Sequence, residues 1–389
     1  MDSIKTISPQ PWMTSPAVTK IMMALGEGNA RFVGGCVRNT LLNADVTDID
    51  IATKHHPEKT TELLEAEGIK VVPTGIEHGT VTAAIDGQGF EITTLRKDVE
   101  TDGRRAVVAF AEKWEEDAQR RDFTMNTLLM NAKGEVFDPT GEGIKDLEAR
   151  TVRFVGEAAQ RIDEDVLRIL RFFRFHAQYG SGDPDGEALK ACKAAAHKIP
   201  ELSKERITQE FLKILSVDNP VDVLTLMFDN GVLTEFVFDG DNLETLKHLC
   251  TFQKNYGLGF VASRIYALAG LSLENVTKME SLLLLPKVFK KDVQAINDIL
   301  NLPDLKTDHA VKVAVYKCGR VTTAQALMIE LATDRVMNGY APKAIDIIQN
   351  WDIPTFPVTG EALMKEGIPQ GPELGKELSR REEEWLSKI

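Results

Sequence analysis

The 389-residue chain is poor in cysteine, lacks any long apolar run and is short of positive charge, and each shortage excludes a class of proteins. Its four cysteines, Cys36, Cys192, Cys250 and Cys318, stand far apart with no Cys-x-x-Cys pair. Neither a zinc site nor a disulfide framework is expected, and a reducing cytoplasm fits. No apolar stretch approaches the roughly 20 residues that cross a bilayer, and the opening MDSIKTISPQPW has no secretory apolar core, so no membrane location is expected. With 46 Lys and Arg against 59 Asp and Glu, the net charge of −13 argues against broad, nonspecific polyanion binding. A few placed arginines can still hold a single nucleic-acid end. Neither Gly-x-Gly-x-x-Gly nor a Walker sequence occurs, which leaves a dinucleotide fold and a P-loop unsupported. At 43% hydrophobic residues the chain can bury substantial cores and is expected to form more than one domain.

What is present is concentrated near the N-terminus, in Arg31-Phe-Val-Gly-Gly-Cys-Val-Arg38 and Asp48-Ile-Asp50. Arg31 to Val33 reads as a short buried strand, Gly34-Gly35 removes every Cβ at its end, and Cys36 to Leu42 reads as the following helix. Bare backbone N–H groups at such a turn suit phosphate oxygens, and Arg38 adds a planar cation one turn in. If Asp48 and Asp50 lie on a strand, both carboxylates share one face while Ile49 and Ile51 go to the core. Two adjacent carboxylates can hold Mg²⁺, a hard cation that relies on a few carboxylates, waters and substrate phosphates. Glu91, on a strand predicted from Phe90 to Leu95, is either a third carboxylate of the site or a plain surface residue. In this order and spacing the elements read as a nucleotide-polymerising site.

Residues 31 to 95 alternate strand and helix signals, with a helix over Pro57 to Glu67 and strands over Ile69 to Val72 and Thr80 to Ile85. The polar segment Arg96 to Phe110, centred on Asp102-Gly103, reads as a mobile loop or hairpin, and Glu135 to Gly143 as a sheet edge. From Ala158 onward the pattern is helical, with Ile162, Val166, Ile169, Leu170 and Phe173 at helical spacing. Prolines 200, 220, 286, 303 and 354 punctuate the remainder, and a final charged helix is expected to dock through Leu378 and Trp385.

Two arginine clusters follow the acids. Arg120-Arg121-Asp122 opens an apolar run, and Arg161 to Arg174 reads Arg-Ile-Asp-Glu-Asp-Val-Leu-Arg-Ile-Leu-Arg-Phe-Phe-Arg. On one helix Asp165, Arg168 and Arg171 step around a single side over about 120°, with Arg174 nearly opposite Asp165. Acid and arginine at this spacing also make ordinary helix ion pairs. Their chemistry allows a sharper use. Cytosine and adenine each present an exocyclic amine beside a ring-nitrogen acceptor, which a carboxylate next to a guanidinium can pair, whereas uracil and guanine present the wrong order.

With these residues in place, the chain resembles the class II tRNA nucleotidyltransferases, which add CCA to tRNA 3′ ends, together with bacterial poly(A) polymerases. The resemblance spans roughly residues 30 to 210 and is weaker in the C-terminal tail. The family's Gly-Gly-x-Val-Arg falls on Gly34 to Arg38, its metal-binding Asp-x-Asp on Asp48 and Asp50, and its Arg-Arg-Asp on Arg120 to Asp122. Asp-Pro-Thr/Tyr-x-Gly falls on Asp138 to Gly141 or Gly143, Glu-Asp-x-x-Arg on Glu164 to Arg168, and Glu-Arg-Ile on Glu205 to Ile207 with Glu210 following. Where the family has aspartate after Gly-Gly-x-Val-Arg, this chain has Asn39, read as a helix-stabilising polar contact rather than a metal ligand.

The resemblance implies an α+β fold: a nucleotidyltransferase-type mixed β-sheet head over residues 1–150, then an all-α neck (151–215), body (216–300) and tail (301–389), with tRNA binding in the tail. It implies that Gly35, Arg38, Arg121, Asp165, Arg168, Arg171 and Arg174 contact the nucleotide. Asp48 and Asp50 would hold Mg²⁺, with Glu91 as a candidate third catalytic carboxylate. The implied substrates are tRNA, CTP and ATP, added stepwise with release of pyrophosphate. Some relatives carry a His-Asp phosphohydrolase domain, but no His-Asp dipeptide occurs here, so that activity is not expected. Poly(A) addition, partial CC- or A-addition, and a noncatalytic nucleotide-responsive RNA-binding module remain open alternatives. Asp98, Asp102 and Arg104 fall where the family has an element that helps switch from C to A addition.

Overall fold

The computed structural model describes residues 1–102, 105–233 and 240–389. The chain divides into two compact units, Met1–Ser203 with Asp229–Val232, and Lys204–Phe228 with Leu233–Ile389. The strands are β1 (Lys5–Thr6), β2 (Ala30–Val33), β3 (Asp50–Thr53), β4 (Lys70–Gly75), β5 (Thr80–Ile85), β6 (Gln88–Thr94), β7 (Arg96–Asp102), β8 (Arg105–Phe110), β9 (Leu129–Met130) and β10 (Glu135–Phe137). Eight of them form one sheet in the order β1-β10-β9-β2-β3-β6-β5-β4, and β7 pairs with β8 in a separate hairpin. The pair β3–β6 is parallel and the other pairs are antiparallel, which makes the sheet mixed as expected.

Helices α1 (Pro16–Leu25), α2 (Gly35–Leu41), α3 (Pro57–Ala66), α4 (Trp114–Gln119), α5 (Gly143–Glu148), α6 (Ala158–Glu164), α7 (Arg168–Tyr179) and α8 (Gly186–Ala195) complete the first unit. The Ser15 side chain accepts the Val18 N–H and Pro16 stands at the first turn, a pairing that starts α1 at this point. Phe32, Ile51 and Ile92 bury the centre of the sheet, and Val33, Ala52, Leu95, Ala111, Trp114, Leu129 and Phe137 form an adjoining core cluster. The Arg31 guanidinium lies against the faces of Phe137 and Trp114, with centroids 3.7 and 4.7 Å away. Helix α7 packs through its own phenylalanines against Phe123 and Phe154. Phe123 meets Phe154 and Phe175, Phe154 stacks on Phe172, and Phe172 meets Phe173 edge-on.

Three local expectations are corrected. The helix read through Asp165 is two helices: α6 ends at Glu164, and Asp165 is extended at φ −156° and ψ 105°. Its Oδ1 accepts the Leu167 N–H at 3.1 Å, and such side-chain capture of a nearby N–H competes with the helical ladder. Arg168 and Arg171 therefore share α7, whereas Asp165 stands at its entrance. Asp48 precedes β3 rather than lying on it, because pairing with β2 begins only at Asp50. Finally, β10 is flanked by both β1 and β9, so the edge of the sheet is the N-terminal β1.

After Ser203 the described elements are helical: α9 (Lys204–Leu215), α10 (Val221–Asp229), α11 (Gly240–Asn255), α12 (Val261–Leu268), α13 (Leu273–Met279), α14 (Lys287–Leu300), α15 (Asp308–Cys318), α16 (Arg320–Ala332), α17 (Ala341–Asn350), α18 (Gly360–Lys365) and α19 (Pro372–Leu386). Within the second unit α11, α12, α14, α15 and α17 all contact α16. Trp385 of α19 packs on Tyr316 and Phe356, Leu386 is buried and Leu378 is half-buried, so the last helix docks as read.

Helix α16 carries an acid that should make this unit pH-sensitive. Glu330 is fully buried. One carboxyl oxygen accepts the Leu305 N–H at 2.8 Å, and among the described residues the other has no hydrogen-bond partner. Burial pushes the carboxyl up to about 7 from an ordinary 4.5, against the pull of the Leu305 N–H and of Arg335. A group whose folded pKa is raised binds its proton more tightly in the folded state, so stability falls as pH rises from about 4.5 towards 7. Glu330→Gln is expected to stabilise the protein by about 1–3 kcal/mol at pH 8 and by little at pH 4.5. Urea unfolding at the two pH values checks this, and an equal gain at both would contradict it.

Candidate active site

Residues of the strand pair β3–β6 and of the loop before β3 frame a cleft of about 730 Å³ lined by Asp48, Asp50 and Glu91, with Trp12, Thr47 and Gln88 around them. Parallel register sets Asp50 directly across from Glu91, which is the geometric reason that an acid 41 positions later joins the pair. The Asp50 carboxyl is held above its ordinary range by burial first and then by the negative charge of Glu91. Arg121 opposes that shift and Asp48 adds to it. Asp48 and Glu91 are exposed at the cleft and Asp50 is half-buried.

Among the described residues no three His, Cys, Asp or Glu side chains form a metal-holding group. The chemistry of the donors nevertheless fits a hard divalent cation. The set is all oxygen, its charges repel one another, and it is open enough for substrate phosphates and water to complete the coordination.

The glycine turn brings a cation to the same corner. Gly34 sits at φ +67° and ψ −125°, a conformation that side-chain-bearing residues rarely adopt. A Cβ placed there would stand 3.7 Å from Arg121 Nη1 and 3.9 Å from Asp50 Oδ2, so the bare glycine lies between arginine and acid. Behind it, Cys36 donates its S–H to the Val33 carbonyl at 3.2 Å, and burial pushes its thiol up to about 11. Cys36 is thus a protonated packing residue, not a reactive thiolate.

Arg38 is only 7% exposed. It donates to Asn126 Oδ1 and to the Tyr179 hydroxyl, each at 2.7 Å, and to Asn39 Oδ1 through Nε and Nη2. Asn39 in turn donates to the Asp45 carbonyl at 2.8 Å. The asparagine therefore fixes Arg38 and the loop leading to Asp48. A Cβ on Gly35 would come 3.8 Å from Arg38 Nη2.

A hydrogen-bonded chain then runs from Arg38 to α7. Asn126 donates to Asp122 Oδ1 at 2.9 Å, and Asp122 Oδ2 accepts from Arg171 through both Nε and Nη2. Burial would raise the Asp122 carboxyl, but the Arg171 guanidinium and donors from Asn126 and Phe123 hold it below the usual carboxylate range. Arg168 donates to Glu164 at 2.6 Å and to the Arg161 carbonyl at 2.7 Å, while Arg174 lies over the Phe175 ring and donates to Gln178.

The structure thus brings together Asp48, Asp50, Glu91, Gly34 and Arg121. A second group joins Arg38, Arg171 and their bridging partners, and Asp165 and Arg168 stand at the entrance to α7. Side chains from 98 to 108 lie outside what is described, as does all of Arg104, so the Asp98, Asp102 and Arg104 reading cannot be placed. Sequence reasoning missed Tyr179 and Asn126, whose links to Arg38 span 141 and 88 positions. It also missed Asp117, an acid four residues before Arg121 that resembles any helix ion pair.

Residues 30–153 match the family described as "Poly A polymerase head domain", and residues 183–238 match "Probable RNA and SrmB- binding site of polymerase A". The chain is similar to "CCA tRNA nucleotidyltransferase 1, mitochondrial" of Mus musculus, at 36% identity over 91% of this chain and 82% of that protein. It is similar to the "CCA-adding enzyme" of Leuconostoc citreum at 30% identity, over 98% and 93% of the two chains. Among solved structures, the Bacillus stearothermophilus CCA-adding enzyme in complex with CTP superimposes with a TM-score of 0.75 at 26% identity, covering 94% of this chain and 92% of that one.

Proposed function

The chain belongs to the family of CCA-adding tRNA nucleotidyltransferases, and from that premise we propose how it adds C, C and A from CTP and ATP to the 3′ end of tRNA without a template, releasing pyrophosphate. The supporting observation is the single corner that holds Asp48, Asp50 and Glu91 beside Gly34 and Arg121.

Asp48 and Asp50, with Glu91 across from Asp50, would hold a divalent cation, for which Mg²⁺ is the finer assignment. When bound, it neutralises triphosphate charge and acidifies the attacking 3′-hydroxyl. Arg121 contacts the triphosphate next to Gly34, and Gly35 lets the backbone approach it. Arg38 contributes its positive charge from a buried position, fixed by Asn39, Asn126 and Tyr179. At the entrance of α7 the Asp165 carboxylate accepts from the exocyclic amine of cytosine or adenine, and Arg168 donates to the adjoining ring nitrogen. Arg171 and Arg174 contact the nucleotide from the same helix. Rate enhancement then comes from positioning and fixed charge.

The division into head (1–150), neck (151–215), body (216–300) and tail (301–389), with tRNA contacts in the tail, is part of the proposal. So is a cytoplasmic location. All four cysteines are free and no described helix is long and apolar enough to cross a membrane, although the mammalian relatives are named mitochondrial.

Primer extension tests the reading. Transcripts of tRNA ending before CCA, after C and after CC are each given CTP, ATP or both with Mg²⁺, and addition that stops at CCA is expected. Long A tails without use of CTP would move the activity to poly(A) synthesis, a halt at CC to a partial enzyme, and no incorporation to a binding module.

A further inference from the structure

Asp117 on α4 is 3% exposed, yet its carboxylate collects four donors. Oδ1 accepts the backbone N–H of Arg96 at 3.1 Å and Arg120 Nε at 2.9 Å. Oδ2 accepts Arg121 Nε at 3.2 Å and Nη2 at 3.0 Å. A two-point grip of this kind fixes both the position and the plane of a guanidinium. With Nε and Nη2 held, Nη1 of Arg121 is directed to the Asn126 carbonyl at 3.4 Å and towards Gly34.

We propose that Asp117 is a positioning residue for nucleotide binding: it aims Arg121 at the glycine turn and, through the Arg96 N–H, ties that aim to the root of the β7–β8 hairpin. The chemistry of the grip favours this over a stabilising role alone. An ion pair serving stability needs only neutralisation, which Arg120 already provides at Oδ1. The bidentate hold on Arg121 adds orientation, and the oriented atom faces Gly34, on whose other side lies Asp50. Because the contact it serves is to phosphate, its loss should weaken all nucleoside triphosphates alike, whatever their base.

The inference rests on the nucleotide-transfer reading of the same site, so the test separates the two. Equilibrium binding of CTP, ATP and UTP by the full chain is measured alongside CTP incorporation. Asp117→Asn keeps the shape and one acceptor but cannot accept at both atoms. It is expected to raise the Kd for all three nucleotides by about tenfold, as Arg121→Ala does, and the double variant should be no more than about twofold worse than Arg121→Ala alone. Circular dichroism melting establishes that each variant is folded at the assay temperature. If Asp117→Asn is not, Asp117→Glu replaces it under the same criteria, since it keeps the charge but shifts the grip by one methylene. An unchanged Kd, or an equal loss with and without Arg121, overturns the positioning role while wild-type incorporation upholds the reaction. A wild type that neither binds nor incorporates nucleotide overturns both.

Discussion

Asp50→Asn is expected to lower CTP incorporation by about a thousandfold or more while leaving the fold as stable as before, or more so. The two halves of this expectation have one origin. Asp50 is half-buried at the start of β3, and burial, Glu91 and Asp48 all raise its carboxyl above the ordinary range. Its charge is therefore held at some expense to folding, an arrangement that serves chemistry rather than stability. The sign follows from linkage. A carboxyl with a raised folded pKa takes up its proton more readily folded than unfolded, so the charge destabilises most at neutral pH. The amide should accordingly melt higher at pH 7 relative to wild type, with the difference closing at acid pH. Single-turnover incorporation and thermal melting at both pH values check the two halves. If Asp50→Asn and Asp48→Asn both retain substantial activity that depends on added divalent cation, the metal assignment is wrong.

The second large effect is on choice of base. Arg168→Ala should reduce discrimination of CTP and ATP against UTP and GTP by about 10- to 100-fold, the worth of a lost two-point base contact. Triphosphate affinity should change less. The structure makes the variant informative, because the acid left behind is not stranded: Glu164 keeps its ion pair with Arg161 when Arg168 is removed. Arg161 also donates to the carbonyls of Gln119 and Arg120, so α6 stays tied to the segment before Arg121. Misincorporation measured with each nucleotide alone decides the matter, and unchanged rejection of UTP and GTP removes Arg168 from base reading.

Much of this site was legible because its parts are local. The strand, glycine turn and helix from Ala30 to Leu41 follow from a short apolar run, two residues without Cβ and a helical period, and each lies within a few residues of where it was read. Glu91 could be suspected as an acid on a strand, but only the parallel register of β3 and β6 places it opposite Asp50. The break at Asp165 escaped periodicity because Ile162, Ile169 and Leu170 keep helical spacing on either side of it, while the event itself is one carboxylate taking one N–H. Asn39 was read as a helix-stabilising polar contact, and its side chain instead accepts from the neighbouring Arg38 and donates to the Asp45 carbonyl. Partners such as Tyr179 come from distant elements, and no local pattern announces them.

The buried face of α7 bears on how selectivity could be changed by substitution. Ile169, Leu170, Phe172 and Phe173 are fully buried, so the helix is anchored by apolar side chains distinct from its arginines. Arg168, Arg171 and Arg174 on the same helix are half-buried. On the proposed reading of Arg168, exchanging it for another donor or acceptor changes the contact offered to the base while the apolar anchor of α7 stays in place. A reader mounted on a mobile loop would need its scaffold rebuilt with every change of letter, whereas the proposed reader stands on a helix whose apolar face is already fixed.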